Sequence, residues 1–248
     1  MFNFRLLRIP VRVRPSFLLI AALLGFFGAS DPVLIAAWIA IVFVSIVVHE
    51  LGHALTARAF GAEVEIELNG VGGLTRWSIP SNRLGPGRRA LVAAAGSAVG
   101  VLFGGLIWLV ASQFGPYRGL TFFVINNLVF VNVFWGLLNW LPIRPLDGGH
   151  LLLSFLERFA PERGDTIARV VFMVTAGAGL VYGIRSDRLF IAVITGFLLF
   201  SEFTSGTPSD EIPAGPIPEF SYDDEPAQPS SGEVGSEEPD DDRAAPDG

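Results

Sequence analysis

Six long apolar segments constrain the fold of this chain more than any other feature of its sequence. They cover residues 16–30, 33–57, 90–112, 120–141, 166–184 and 188–203. A helix that crosses a bilayer needs about 20 predominantly apolar residues, so most of these segments are long enough to span one. Charged residues make up only 17% of the chain, below the roughly 25% of an average soluble domain. We therefore expect an all-α membrane protein with about six transmembrane helices.

The first apolar segment has two interpretations. It is short, and an arginine-rich stretch precedes it, which is also the pattern of a signal peptide. We favour a retained span, because Asp31-Pro32 leads directly into the second segment. Cleavage after the first segment would leave the predicted orientation of the others unchanged.

The C-terminal part of the chain differs in composition from the rest. Residues 205–248 hold 13 acidic residues and one arginine, a net charge of −12, while the remaining residues carry +5. This acidic stretch is rich in Pro, Gly and Ser and has too few apolar residues to form a core. We predict a membrane core over 1–204 and a disordered, cytoplasmic acidic tail over 205–248. The tail is either a solvated extension or the binding site of a regulatory partner, and no nucleic-acid partner is expected.

The distribution of arginine predicts the orientation in the membrane. Arginines concentrate before the first segment, between the second and third, and between the fourth and fifth, at Arg5, Arg8, Arg12, Arg14, Arg58, Arg76, Arg83, Arg88, Arg89, Arg144, Arg158 and Arg163. Basic residues are enriched in cytoplasmic loops. The chain is therefore predicted to be a multi-pass protein of the cell membrane with both termini in the cytoplasm.

A short β-hairpin is predicted between the second and third apolar segments. Acidic residues alternate with Val64, Ile66 and Leu68, which is strand periodicity. Asn69-Gly70 is a two-residue hairpin signal, and a second strand follows through Gly72-Gly73 towards Trp77. Residues 11–14 alternate in the same way and are expected to add a strand at the membrane surface. The hairpin either connects two helices or offers an edge strand to an extended substrate.

The strongest chemical signal is the sequence His49-Glu50-Leu51-Gly52-His53, which lies late in the second apolar segment. Histidines four residues apart lie on one face of a helix and can share a zinc ion, with the intervening glutamate beside the bound water. Ionisable residues inside a membrane helix are costly, so they indicate a functional site. The chain has no cysteine, which excludes thiolate ligands and nucleophiles.

The third ligand of such a zinc ion must come from elsewhere in the chain, because no further histidine or acid follows soon enough on the same helix. Asp147 is the acidic residue with apolar and glycine-rich flanks on the same predicted side of the membrane. The alternative role for Asp147 is to cap the following helix. His150 is either a neighbour that orients Asp147 or an ordinary residue at the start of that helix.

Two motifs together resemble the site-2 protease family of intramembrane zinc metalloproteases, in particular its compact six-span branch without a PDZ domain. The motifs are HELGHALTARAFG from His49, and the run NWLPIRPLDGG from Asn139 to Gly149. By that resemblance, one Zn²⁺ is bound by His49, His53 and Asp147, and Glu50 is the general base. The resemblance also implies that Asn139 binds substrate or stabilises the oxyanion.

The resemblance implies hydrolysis of peptide bonds in or near transmembrane segments of membrane proteins. The expected partners are transmembrane protein substrates and the lipid bilayer of a bacterial cell, and the site is expected near the cytoplasmic side. Two alternatives remain open at this point. One is another membrane zinc hydrolase, such as a prenyl-protein protease, and the other is a catalytically inactive scaffold that binds partners.

Overall fold

The computed structural model describes residues 1–28, 31–79 and 84–204. The helices in this part of the chain are α1 (Pro15–Gly28), α2 (Pro32–Ala59), α3 (Pro86–Phe114), α4 (Gly119–Phe130), α5 (Gly136–Asn139), α6 (Asp147–Phe159), α7 (Gly164–Arg185) and α8 (Leu189–Thr204). A π-helical turn, Val131–Trp135, joins α4 to α5 in one continuous helical segment. The strands are β1 (Phe2–Leu6), β2 (Ile9–Val13), β3 (Glu63–Asn69) and β4 (Gly72–Ser78). The predicted acidic tail lies outside the described residues.

Four helical segments within the described ranges are long and apolar enough to cross a membrane: α2, α3, Gly119–Asn139 and α7. The first and sixth predicted segments form the shorter apolar helices Pro15–Phe26 and Ile191–Phe200. The mainly helical membrane fold is thus confirmed, while a count of six crossings stays a prediction. Helix α2 has a defined start, because Oδ1 of Asp31 accepts a hydrogen bond from the backbone N of Val33 at 2.8 Å.

The four described strands form one sheet in the order β1-β2-β3-β4. The hairpin of β3 and β4 is as predicted, but its two loop residues are Gly70 and Val71, because Asn69 pairs with Gly72. The side chain of Asn69 accepts a hydrogen bond from the backbone N of Val71 at 2.9 Å, which stabilises the turn. Strand β1, which pairs antiparallel with β2, was not expected from the sequence.

The pairing between β2 and β3 is parallel, although α1 and α2 lie between them in sequence. The α1–α2 pair must therefore start and finish on the same side of the molecule. The residues before α2 supply half of the sheet, so α1 belongs to the folded core. Retention of the first apolar segment stays a prediction.

The two faces of the sheet bury different kinds of side chain. One face contributes Val11, Ile66 and Leu68 to the main apolar core, where they pack with residues of α1 and α2. On the other face, the side chains of Glu65 and Glu67 are also buried. Nε of Arg12 lies 2.5 Å from Oε1 of Glu65. Two arginines contact Glu67: Nε of Arg14 lies 2.6 Å from its Oε1, and Nη2 of Arg76 lies 3.2 Å from its Oε2. Burial raises the pKa of Glu65, and the charge of Arg12 opposes that rise.

Small residues allow the helices around the histidines to pack closely. A Cβ on Gly52 of α2 would lie 2.6 Å from the backbone O of Ala95 in α3. On α3, a Cβ on Gly96 would overlap the ring of His53, and one on Gly104 would lie 2.9 Å from Cβ of Asn132. Such contacts require glycine, because any larger side chain would separate the helix backbones. Helix α3 is thereby held directly against the histidine face of α2.

Candidate metal centre

The two histidines of the HELGH motif project from the same face of α2 towards α3 and the start of α6. Nε2 of His49 and Nε2 of His53 are 3.1 Å apart. The helical repeat explains this, since residues four apart are neighbours on a helix surface. His53 is buried and His49 is partly buried. The helix alone therefore supplies two ligand atoms that face one point.

Asp147 is carried to the histidines by a tight turn between α5 and α6. Pro142 and Pro145 lie in this turn, where no helix can continue through them. A Cβ on Gly148 would overlap the backbone oxygen of Trp140, and one on Gly149 would lie 2.9 Å from the oxygen of Ile143. The glycines therefore let the first turn of α6 fold back against the preceding chain, with Asp147 as its first residue.

The Asp147 carboxylate meets both imidazoles. Its Oδ1 lies 3.2 Å from Nε2 of His53, and its Oδ2 lies 3.4 Å from Nε2 of His49. In the described part of the chain, these three residues form the group of His, Asp or Glu side chains whose ligand atoms converge closely enough for a metal ion. The predicted ligand set is thus brought together from α2 and α6.

The donor set fits a tetrahedral divalent cation. Zinc–ligand bonds of about 2.0–2.1 Å place two tetrahedral ligands about 3.3 Å apart, close to the separations of 3.1, 3.2 and 3.4 Å found here. Nδ1 of His53 donates to the backbone O of Val92 at 2.7 Å. In the neutral ring this leaves a lone pair on Nε2, and that lone pair points towards a carboxylate. Acceptors that converge in this way are stabilised by a cation.

Helix α3 supports the centre through Ser97, which sequence reasoning did not single out. The Ser97 hydroxyl donates to Oδ2 of Asp147 at 2.6 Å, and the residue is fully buried. The signal was available in principle, because Ser97 is a polar residue beside Gly96 in an apolar helix. The contact itself depends on how α3 is rotated against α6, and local sequence patterns do not predict that rotation.

Glu50 is buried but is not one of the three converging ligands. Its Oε2 accepts a hydrogen bond from Oγ1 of Thr75 on β4 at 2.7 Å, and its carboxylate fills the space above Gly73. Glu50 is also close enough to His53 and Asp147 to interact electrostatically with both. The carboxylate therefore lies between the candidate metal centre and the sheet, and the hairpin does more than connect two helices.

Two asparagines of the helical segment Gly119–Asn139 lie near the candidate metal centre. Nδ2 of Asn139 lies 3.4 Å from Nε2 of His49, so the predicted site residue is adjacent to a ligand. Asn132 is buried in the π-helical turn, where its Nδ2 donates to Oγ of Ser45 on α2 at 2.8 Å. Ser45 precedes His49 by one helical turn, so this bond ties the segment to α2 beside the centre.

His150 lies in the first turn of α6 and offers no ligand atom to the converging group of the described residues. Burial lowers the pKa of His150, and the charge of Asp147 opposes this effect. The side chain is therefore an electrostatic neighbour of Asp147.

Comparison with known proteins supports the resemblance to site-2 proteases. Residues 117–179, which include the π-helical turn, Asn139 and Asp147, match the model described as peptidase family M50. Over these residues the chain is similar to peptidase family M50, the site-2 protease family. The matched residues contain the NWLPIRPLDGG motif, and the resemblance to that family is confirmed.

Curated relatives agree with this similarity. A zinc metalloprotease of Methanocaldococcus jannaschii is 26% identical over 201 residues, which is 79% of this chain and 58% of the relative. A proposed zinc metalloprotease of Synechocystis is 39% identical over 174 residues, or 64% of this chain and 45% of the relative. The chain therefore spans about half the length of the curated relatives it matches.

A solved structure shares the fold of this chain. It is the site-2 protease of Methanocaldococcus jannaschii, which superimposes with a TM-score of 0.59 at 22% identity, over 83% of this chain and 96% of that one. The likeness supports the arrangement of membrane helices around a small sheet.

Proposed function

We propose that the protein is an intramembrane zinc metalloprotease that hydrolyses peptide bonds in or near transmembrane segments of membrane proteins. The observation that carries this proposal is the convergence of Asp147 at tetrahedral spacing on His49 and His53, which lie on a helix long enough to cross a bilayer. Glu50, the residue after the first ligand, is buried beside them. This arrangement supports metal-assisted hydrolysis in a site screened from bulk water.

The chemistry divides between the metal and the protein. Zinc, when held by His49, His53 and Asp147, supplies Lewis-acid polarisation of the scissile carbonyl and a more acidic water. Glu50 accepts a proton from the water while the water oxygen attacks the carbonyl carbon. As the C–N bond breaks, Glu50 returns that proton to the leaving nitrogen. Val92 and Ser97 hold His53 and Asp147 in place through their hydrogen bonds.

Asn139 is proposed to stabilise the negative charge that develops on the carbonyl oxygen. Its Nδ2 lies beside His49, so its N–H groups are at the centre where that oxygen would form. A preorganised donor of this kind stabilises a transition state more than a ground state.

The substrate is proposed to bind as an extended strand against β4. Within the described residues, β4 pairs with β3 alone and forms an edge of the sheet. A transmembrane helix hides its peptide bonds in internal hydrogen bonds, so it must unwind before cleavage. Strand addition at β4 would replace the backbone hydrogen bonds that unwinding breaks.

The location of the site is part of the proposal. Glu50 contacts the same sheet that contains the arginine-rich segments around β2 and β4, and the arginine distribution predicts a cytoplasmic position for that sheet. We infer a multi-pass protein of a bacterial cell membrane, with both termini in the cytoplasm and one Zn²⁺ per chain near that side. A regulatory partner for the tail stays a prediction.

The test is a metal analysis of the purified full chain, followed by cleavage of a transmembrane test substrate in lipid vesicles. About one zinc per chain and cleavage by the wild type are expected. Glu50→Gln should keep the zinc and lose cleavage. Retained cleavage by Glu50→Gln would overturn the mechanism. Cleavage of a prenylated C-terminal peptide alone would favour the other membrane hydrolase, and zinc without any cleavage would favour a scaffold.

A further inference from the structure

The hydroxyl of Thr75 makes the contact that joins the sheet to Glu50. Its Oγ1 lies 2.7 Å from Oε2 of Glu50 and 3.1 Å from the backbone O of the same residue. A threonine hydroxyl has one proton to donate, and a carboxylate is the stronger acceptor. Thr75 is buried, so water does not compete for this bond. The hydrogen bond therefore fixes one oxygen of the Glu50 carboxylate.

Gly73 packs against the same carboxylate from a second side. It precedes Thr75 by two residues on β4, so both positions face the same side of the sheet. A Cβ on Gly73 would overlap Oε1 and the carboxyl carbon of Glu50. Strand β4 therefore determines where the Glu50 side chain lies, although Glu50 itself belongs to α2.

The strand that holds Glu50 is also the sheet edge to which the proposed substrate would be added. Thr75 pairs with Ile66 of β3 on one side, which leaves the other side of β4 for a strand that is not part of the described sheet. A substrate strand there would fix the backbone of β4 at the point where Thr75 projects towards Glu50.

We propose that Thr75 is a positioning residue that fixes the placement of Glu50 from the strand to which the proposed substrate would be added. The inference rests on the proposed function, because it assigns Glu50 the role of general base. Thr75 keeps its own proton throughout and donates its hydrogen bond to Oε2. The other carboxylate oxygen is left to exchange a proton with the water and the leaving nitrogen.

Thr75→Val tests the inference, because valine keeps the shape and the strand preference of threonine but removes the hydroxyl. Cleavage of the transmembrane test substrate by the full chain in vesicles is measured for this variant. A hydrogen bond to a charged group has a strength that corresponds to about a ten- to hundredfold loss of kcat. KM and zinc content should not change. Thr75→Ser, which restores the hydroxyl, should recover most of kcat.

Thr175→Val is the matched control, because the Thr175 hydroxyl bonds within its own helix, to Val171 O at 2.8 Å, on α7. This variant should cleave like the wild type. A second measurement uses the Glu50→Gln background, in which Thr75→Val should leave the binding of a fluorescent substrate unchanged. Equal weakening of binding and cleavage would show that Thr75 only maintains the strand, and would overturn the inference.

The remaining outcomes are also distinct. If Thr75→Val has the kcat of the wild type, the positioning role is overturned. A kcat above that of the wild type would also overturn it, because it would show that the bond restrains Glu50. Failure of Thr75→Ser to recover kcat would likewise overturn the positioning role. If the wild type does not cleave, or Glu50→Gln cleaves normally, the proposed function fails instead. The two failures are therefore distinguishable.

Discussion

The Ser97 hydroxyl lies 2.6 Å from Oδ2 of Asp147, and this bond connects the middle of the bundle to the last ligand of the centre. Ser97 belongs to α3, Asp147 to α6, and the two histidines to α2. Residues of three helices therefore contact the Asp147 carboxylate or carry it. The hydrogen bond also orients Oδ2, which is the oxygen near His49.

Loss of the Ser97 hydroxyl should weaken metal binding without abolishing it. Partners that orient a ligand typically contribute about 10–100-fold in metal affinity, so Ser97→Ala should release zinc to a competing chelator at correspondingly lower chelator concentration. Ser112→Ala is the control on the same helix, because the Ser112 hydroxyl is exposed and bonds to Leu109 O. Equal zinc affinity in the two variants would show that the Ser97 bond is incidental.

Removal of the third ligand should have a larger effect. Asp147→Ala takes away a carboxylate that contacts both histidines, so zinc per chain should fall far below one after dialysis. Asp165→Ala removes an exposed carboxylate from the first turn of α7 and should keep its zinc. The measurement is zinc per chain by atomic absorption. Unchanged stoichiometry in Asp147→Ala would exclude this residue as a ligand.

A single methyl group on α3 should disturb the centre as strongly as a ligand variant. Gly96→Ala would force a Cβ into the His53 ring, whereas a Cβ on Gly105 of the same helix meets nothing within 4 Å. Both changes should raise the helix propensity by about 1 kcal/mol. Zinc content should therefore fall in Gly96→Ala and stay normal in Gly105→Ala. Normal zinc in both would mean that His53 has room to move.

Asn139→Ala should reduce turnover while zinc stays bound. Loss of one oxyanion donor lowers kcat by about 10²–10³-fold in a well-studied protease, and the Asn139 side chain contacts a ligand only at 3.4 Å. Asn126→Ala, on the same helical segment at the far cavity lined by Asp31, is the control. A kcat ratio near one between the two variants would contradict the assigned role.

The buried pair of Arg12 and Glu65 should affect the stability of the sheet in a pH-dependent way. Arg12→Met leaves Glu65 buried without that cation, which typically costs about 3–5 kcal/mol. Because burial raises the pKa of folded Glu65 above its unfolded value, its contribution is fully present in acid and is lost as the pH rises through the folded pKa. Arg12 opposes that rise, so the loss of Tm in Arg12→Met should be larger at neutral than at acidic pH.

The double variant Arg12→Met with Glu65→Leu provides the comparison for this pair. Replacement of both charges by apolar groups is often close to neutral, so its Tm in detergent should approach that of the wild type at either pH. A double variant less stable than Arg12→Met would show that the charges themselves stabilise the sheet.

The candidate ligands could be singled out from the sequence because their relationships are local or chemically distinctive. The spacing of His49 and His53 follows from the helical repeat, and Asp147 stands out as an acid between apolar and glycine-rich stretches. The hairpin strands were predictable from their alternation. In each case the signal lies within a few consecutive residues.

Other features depend on how distant elements dock, and the sequence does not state this. Ser97 reaches Asp147 only because α3 is rotated towards α6, and Thr75 reaches Glu50 only because β4 lies against α2. The burial of Glu65 also could not be read from alternation, since acidic residues normally face solvent and the charge of Glu65 is compensated by docked arginines, among them Arg12. These contacts join residues 25 to 53 positions apart.

The parallel pairing of β2 with β3 sets an order for folding during synthesis. Strand β2 is made before α1 and α2, yet its partner strand appears only after both helices have emerged. The sheet therefore cannot close until both helices have formed and returned the chain to the side where β2 lies. Glu50 is enclosed when β4 follows, and Asp147 comes far later in the chain. Completion of the candidate metal centre thus requires that the preceding helices have already packed against the sheet.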